Sequence, residues 1–208
     1  MTSWAAHERA ALLEALRALG PDAPTLCDGW ATRDMAAHIY VRERRPDAAL
    51  GVLPLGPLSA YTDRVMASVL RVQSYDDLLR RLRRAPAYVR LTGLDDVINT
   101  VEFFVHTEDV RRANDLPLRE LPPALEQVLG SRLRRQARVL FRRAGARVRL
   151  VPAPGDPIDV GSGDETVEVR GRPGEVLLFG FNRKAAARVD LVGTGAAVAA
   201  LQQARLGL

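Results

Sequence analysis

The chain has 208 residues, 47% hydrophobic and 26% charged, which suits one large or two small globular domains and excludes a disordered or fibrous chain. A net charge of +5 and a sequence pI near 10.1 would fit a nucleic-acid binder, but Lys184 is the only lysine among 30 basic residues. Such arginine usage, with abundant Ala, Leu, Gly and Pro, reads as the codon bias of a GC-rich bacterial genome. The runs Arg80–Arg84 and Arg132–Arg138 leave the apolar residues of their helices at core spacing, and no aromatic residues are interleaved to stack bases. They read as solvated faces, so nucleic acid is not the expected partner. No apolar run approaches the roughly 20 residues of a membrane span. The single Cys27 excludes an internal disulfide and suits a reducing cytoplasm, the expected location.

Helices come first along the chain. Ser3–Leu19 carries Leu12, Leu13, Leu16 and Leu19 at helical spacing and stops at Gly20-Pro21. A second helix runs from Thr32, a plausible N-cap, to about Ala49, with Asp34 in its first turn. Leu58–Leu70 and Tyr75 to about Val89 give a third helical stretch, interrupted near Gln73-Ser74. Leu94–Ala113 and Pro122–Ala144 follow. Helices of this length joined by Gly/Pro loops predict a bundle over residues 1–145. After Gly145 the pattern changes to short alternating runs between Gly, Pro and Asp turns, which predicts two or three strands. A short buried helix opening at Pro173, a strand at Ala187–Gly193 and a final Ala-rich helix complete residues 146–208. The predicted class is mainly α with a small C-terminal α+β domain.

The stretch Val101–Ala113 places Glu102 and His106 inside its most apolar part. At about 100° per residue, Asn99, Glu102, His106 and Asp109 fall on one stripe roughly 80° wide. Ile98, Val101 and Val105 flank it on one side, Phe103 and Val110 on the other. Apolar shoulders indicate a stripe that points inward. Buried carboxylates and imidazoles are costly unless paired or bound to a metal. Glu102 and His106, at i and i+4, stand one above the other and reach one ion. A structural Glu–His hydrogen bond is the plainer reading of the same spacing.

Three histidines exist: His7, His38 and His106. His7, beside Glu8 and Arg9, reads as surface or a helix-pair contact. His38 shares the apolar side of its helix with Met35 and Ile39. With Glu102 and His106 it gives two imidazoles and one carboxylate, the ligand count of catalytic zinc sites. Nickel or iron would suit the set as well. Asp34, one turn before His38, and Asp109 are candidates to orient His38 and His106, against plainer roles as a helix-terminal and a surface charge. Arg42, one turn after His38, is a cofactor-binding candidate, against the plainer role of a surface charge. Cys27 reads as a small buried hydrophobe rather than a nucleophile, and Trp30 as packing at the start of the His38 helix.

The patterns G-W-x-x-R-D-x-A-x-H (Gly29–His38) and N-T-x-E-F-x-x-H-x-E-D-x-R-R-A (Asn99–Ala113) resemble the mycothiol-dependent maleylpyruvate isomerase family, near an actinobacterial subgroup of metal-binding proteins. That family belongs to the DinB-like superfamily of four-helix bundles. The resemblance implies a divalent metal held by His38, Glu102 and His106. It extends to Val176–Gly193, where the family carries a helix, an arginine, a strand and a glycine. The functional arginine falls on Arg183, preceded by Asn182 in place of the family's glycine. The implied chemistry is thiol addition to an activated double bond, with mycothiol as cofactor, a small electrophile as substrate, and Arg183 as the binder of an anionic group. A non-catalytic metal or small-molecule binding module, and an Arg-rich nucleic-acid partner with a structural metal, are the alternatives. A monomer or homodimer is expected.

Overall fold

The structure, a computed structural model, describes residues 3–49, 57–86 and 95–207. The helix ends expected at Val89 and Leu94, and the side chain of Ile98, lie outside the described residues. Two compact units are present, Met1–Leu118 and Arg119–Leu208. Among the described residues no helix is long and apolar enough to cross a membrane.

The first unit is helical: α1 (Trp4–Leu19), α2 (Thr32–Arg44), α3 (Pro46–Ala49), α4 (Pro57–Val72), α5 (Tyr75–Leu82) and α6 (Asp95–Arg112). Ser3 caps α1 by accepting from the Ala6 N–H, and Gly20 ends it at φ +78°, a conformation that favours glycine. Thr32 is not the cap expected of it. The cap position of α2 is Ala31, whose N–H donates to Asp34 Oδ2 at 2.9 Å, while the Thr32 hydroxyl is drawn to the Gly20 carbonyl. Helix α1 lies along α6, and α2 lies along α4 and α5. Leu12, Leu16, Met35, Ile39, Leu78, Leu82 and Phe103 are fully buried between them. Within this apolar core, Arg9 Nη1 donates to Glu43 Oε2 at 2.7 Å and its guanidinium lies 4.4 Å from the Phe103 ring centroid.

The second unit holds α7 (Pro123–Leu140), β1 (Arg147–Pro152), β2 (Ile158–Val160), β3 (Thr166–Gly171), α8 (Pro173–Gly180), β4 (Asp190–Val192) and α9 (Gly195–Gln203). The sheet order is β2-β1-β3-β4, with β1 parallel to β3 and the outer pairs antiparallel. Val148 and Leu150 on β1, with Val167 and Val169 on β3, alternate inward as the period of a half-buried strand requires. The sequence reading groups α7 with the bundle; the structure places it in the second unit, packed on α8. A sheet and two short helices alone have too little apolar surface to close a core. Leu125, Leu129, Leu133 and Leu140 of α7 supply it, and Phe141 stacks on Phe179 with ring centroids 6.3 Å apart. The buried Glu126 accepts from the Gly174 N–H at 3.0 Å, which satisfies one free donor at the start of α8. At the other end of the unit, Lys184 Nζ donates to the carbonyls of Leu201, Gln202 and Ala204 and so closes the C-terminus of α9.

Gly180 ends α8 against this core. A Cβ there would stand 2.9 Å from Phe141 Cε2 and 3.3 Å from Leu140 Cδ1. Both neighbours are fully buried and cannot swing into solvent. Gly180→Val is expected to destabilise the second unit by about 1–3 kcal/mol, the usual cost of overpacking. Urea unfolding of the variant checks this; an unchanged midpoint would mean that the Phe141 ring moves aside freely.

Candidate metal centre

Helix α6 buries polar side chains because nearly all have a partner on the same helix or across the first unit. Asn99 and Asp109 are buried, as are the flanking Val101, Phe103, Val105 and Val110. The stripe therefore points inward, as its apolar shoulders indicate. Asn99 Oδ1 accepts from Arg42 Nη1, Thr107 Oγ1 donates to the Phe103 carbonyl at 2.7 Å, and Arg112 Nε donates to Glu108 Oε2 at 2.7 Å.

Helix α2 brings His38 and Arg42 to the same place. His38 Nε2 lies 3.4 Å from Glu102 Oε1, His106 Nε2 lies 3.2 Å from it, and Arg42 Nε lies 3.1 Å from it. Three nitrogens thus converge on one carboxylate oxygen. One ligand atom from each of His38, Glu102 and His106 lies within 4.8 Å of the other two. Both imidazoles are buried, whereas Glu102 keeps 24% of its side chain exposed, so the cluster opens to solvent through the carboxylate. The ring centroids of His38 and His106 are 5.1 Å apart, and the Trp30 ring, tilted against His38, lies 4.9 Å from it.

The charges follow from these neighbours. Burial alone would push the Glu102 carboxyl up, but the hydrogen bonds with His106 and His38 and the charge of Arg42 together hold it well below the usual carboxylate range. Burial pulls His38 down, and the bond to Glu102 only partly offsets it against the neighbouring His106 charge, so its imidazole is held toward the neutral form. His106 is also disfavoured by burial, yet Asp109, Cys27 and Glu102 raise it well above an ordinary histidine. Its Nδ1 lies 3.0 Å from Asp109 Oδ2 while Nε2 faces Glu102. An imidazole with a carboxylate at each nitrogen is stabilised as the cation.

The other candidate residues divide. Asp109 faces His106 Nδ1 as an orienting acceptor should. Asp34 does not serve His38 in that way, because its carboxylate caps α2 at Ala31. His7 is exposed and packs edge-on against Trp4, with centroids 5.5 Å apart. Trp30 packs at the start of α2 as expected and also touches His38. Cys27 is more than a small hydrophobe: its Sγ lies 3.4 Å from Asp109 Oδ2. The two residues are 82 apart in the chain, so no local pattern joins them. In the second unit, Arg183 Nη1 donates to the Phe181 carbonyl at 2.7 Å. Asn182 stands at φ +67°, so the turn before Arg183 has the left-handed backbone that a glycine would give.

The donor set fits a divalent cation: a carboxylate held ionised, one imidazole held toward neutrality, and a second, His106, that must give up its Nε2 proton to the incoming ion while Nδ1–H stays on Asp109. By sequence, the chain matches no family model and no curated protein. By structure, it is similar to two crystal structures, one of the mycothiol-dependent maleylpyruvate isomerase and one of its histidine-to-alanine variant. The TM-score is 0.52 in both cases, identity is 14% and 15% respectively, and 90% of each chain is covered. At that identity the likeness lies in the fold, a mainly helical chain with a C-terminal α+β portion shared with those isomerases.

Proposed function

We propose that His38, Glu102 and His106 hold a divalent metal, zinc in the first instance, and that the protein is a metal-dependent thiol enzyme acting on a small electrophile. The observation that carries this is the meeting of two imidazoles and a carboxylate from two helices within 4.8 Å, at a carboxylate partly open to solvent. A bound ion of this kind lowers the pKa of a thiol or water and supplies a nucleophile at neutral pH. Around it, Asp109 holds His106 in one orientation, and the Trp30 ring shields His38 from water. Arg42 adds to the histidine hydrogen bonds that hold Glu102 ionised, and its guanidinium is the proposed donor to the amide and hydroxyl oxygens of a mycothiol-like cofactor. Arg183, after the left-handed turn at Asn182, is the proposed binder of the substrate's anionic group.

The reading is tested by metal analysis of the purified protein, then by turnover of electrophilic alkenes with and without mycothiol. Activity that needs both metal and thiol, and falls in Arg42→Ala and Arg183→Ala, supports it. Metal-replete protein with no thiol-dependent turnover would leave a binding module. Full activity in Arg183→Ala would remove that arginine from the reading.

The metal is an inclusion in a bundle that has its own core, formed by Leu12, Leu16, Met35, Ile39, Leu78 and Leu82. Chelation is therefore expected to leave the far-UV helical signal in place. A chelator that abolished it would recast the metal as structural.

A further inference from the structure

His106 faces two donor sets, one at each ring nitrogen. Nε2 meets Glu102 and His38, as described. On the other side of the ring, Nδ1 lies 3.0 Å from Asp109 Oδ2, and that oxygen lies 3.4 Å from Cys27 Sγ. One ligand atom from each of Cys27, His106 and Asp109 lies within 4.8 Å of the other two. Around a tetrahedral zinc-like ion, with metal–nitrogen and metal–sulfur bonds near 2.0 and 2.3 Å, donors stand roughly 3.3–3.6 Å apart. Two separations of this second set, 3.0 and 3.4 Å, are close to those of a metal site, and the third lies within 4.8 Å.

The loop that carries Cys27 is fastened to α6 and to the turn that follows it. The Leu26 N–H donates to the Asp109 carbonyl at 3.1 Å, and Asn114 Nδ2 donates to the Pro24 carbonyl at 2.9 Å. Thr25 Oγ1 accepts from the Cys27 N–H at 3.2 Å and donates to the Trp30 carbonyl at 3.0 Å, which fixes the turn itself. The thiol is thus held against the fully buried Asp109 by the Leu26 and Pro24 contacts just before it and by the turn that Thr25 closes.

We propose that Cys27, Asp109 and His106 Nδ1 form a second metal position, selective for soft, thiophilic cations. A neutral imidazole has one lone pair, so His106 serves one set at a time. An ion on Nε2 leaves Nδ1–H for Asp109; an ion on Nδ1 leaves Nε2–H for Glu102. The thiol and the His106 imidazolium each lose a proton to solvent as the metal–sulfur and metal–nitrogen bonds form. Donor softness then sorts the ions: the imidazole–carboxylate set suits zinc, nickel or iron, and the thiolate set suits cadmium or cuprous ion.

The probe is cadmium chloride added to the intact, metal-free protein, read by the ultraviolet sulfur-to-cadmium charge-transfer band. Cys27 is the only cysteine, so the band reports on one atom. Wild type and His38→Ala are both expected to show it, because His38 belongs only to the other set. Cys27→Ser should lose the band and still bind zinc through His38, Glu102 and His106, which separates failure of this site from failure of the first. Asp109→Asn and His106→Ala should need at least about tenfold more cadmium, the loss that even an outer-shell partner costs. Cadmium bound without the band, a band that vanishes in His38→Ala, or a band unaffected by His106→Ala would each overturn the proposal.

Discussion

Arg9→Met is expected to lower the stability of the helical unit by about 3–5 kcal/mol, the cost of stranding a buried charge. The partner left behind is Glu43, whose side chain is 1% exposed. In the folded unit that carboxylate is shut away from water, which cannot take the place of the guanidinium. Arg9 Nη1 also reaches the Leu82 carbonyl at 3.3 Å and covers the Phe103 ring, so methionine replaces some packing but none of the hydrogen bonds. The double variant Arg9→Met, Glu43→Leu removes both charges and should recover most of the loss, since apolar replacements of buried ion pairs are often neutral or better. Urea unfolding of the two variants distinguishes the cases. A single variant that loses less than about 1 kcal/mol would show that Glu43 finds another partner or takes up a proton.

His106→Ala carries the largest expected effect on metal content. Removing a ligand should cost more than the roughly 10–100-fold in affinity that loss of an outer-shell partner costs. His38→Ala and Glu102→Ala should behave alike, and Asp109→Asn should fall within the outer-shell range. The exposed His7→Ala is the control and should keep its metal. Metal analysis after gel filtration reads all five proteins. A full equivalent of tightly held metal in His106→Ala would refute the proposed ligand set.

The site is legible in sequence where one helix carries it. Asn99, Glu102, His106 and Asp109 share a stripe because helical geometry fixes their angles, and the apolar shoulders give the stripe its direction. The strands of the tail are equally legible from the alternation in Arg147–Pro152 and Thr166–Gly171. Contacts that cross between elements are not. Arg9 stands in a run, His7-Glu8-Arg9, that looks solvated, yet its partner is 34 residues away. Cys27 acquires its meaning only from a carboxylate on another element. Asp34 takes its plainer, helix-terminal role by accepting the Ala31 N–H, and Thr32 misses the cap because its hydroxyl donates to the Gly20 carbonyl instead. Helix α7 has the apolar spacing of a bundle helix, and nothing local says which partner it covers.

The tie between Lys184 and α9 has a practical side. Lys184 is the only lysine, so apart from the amino terminus its Nζ is the chain's only alkyl amine. Burial also pulls its pKa below that of a free lysine, which raises its fraction as reactive base. Acylating reagents will thus mark a single side chain, and in doing so remove the charge that holds three carbonyls at the end of the last helix. A dye or cross-linker placed there reports on the seating of that helix, and its rate of attachment measures how often the helix end lets go.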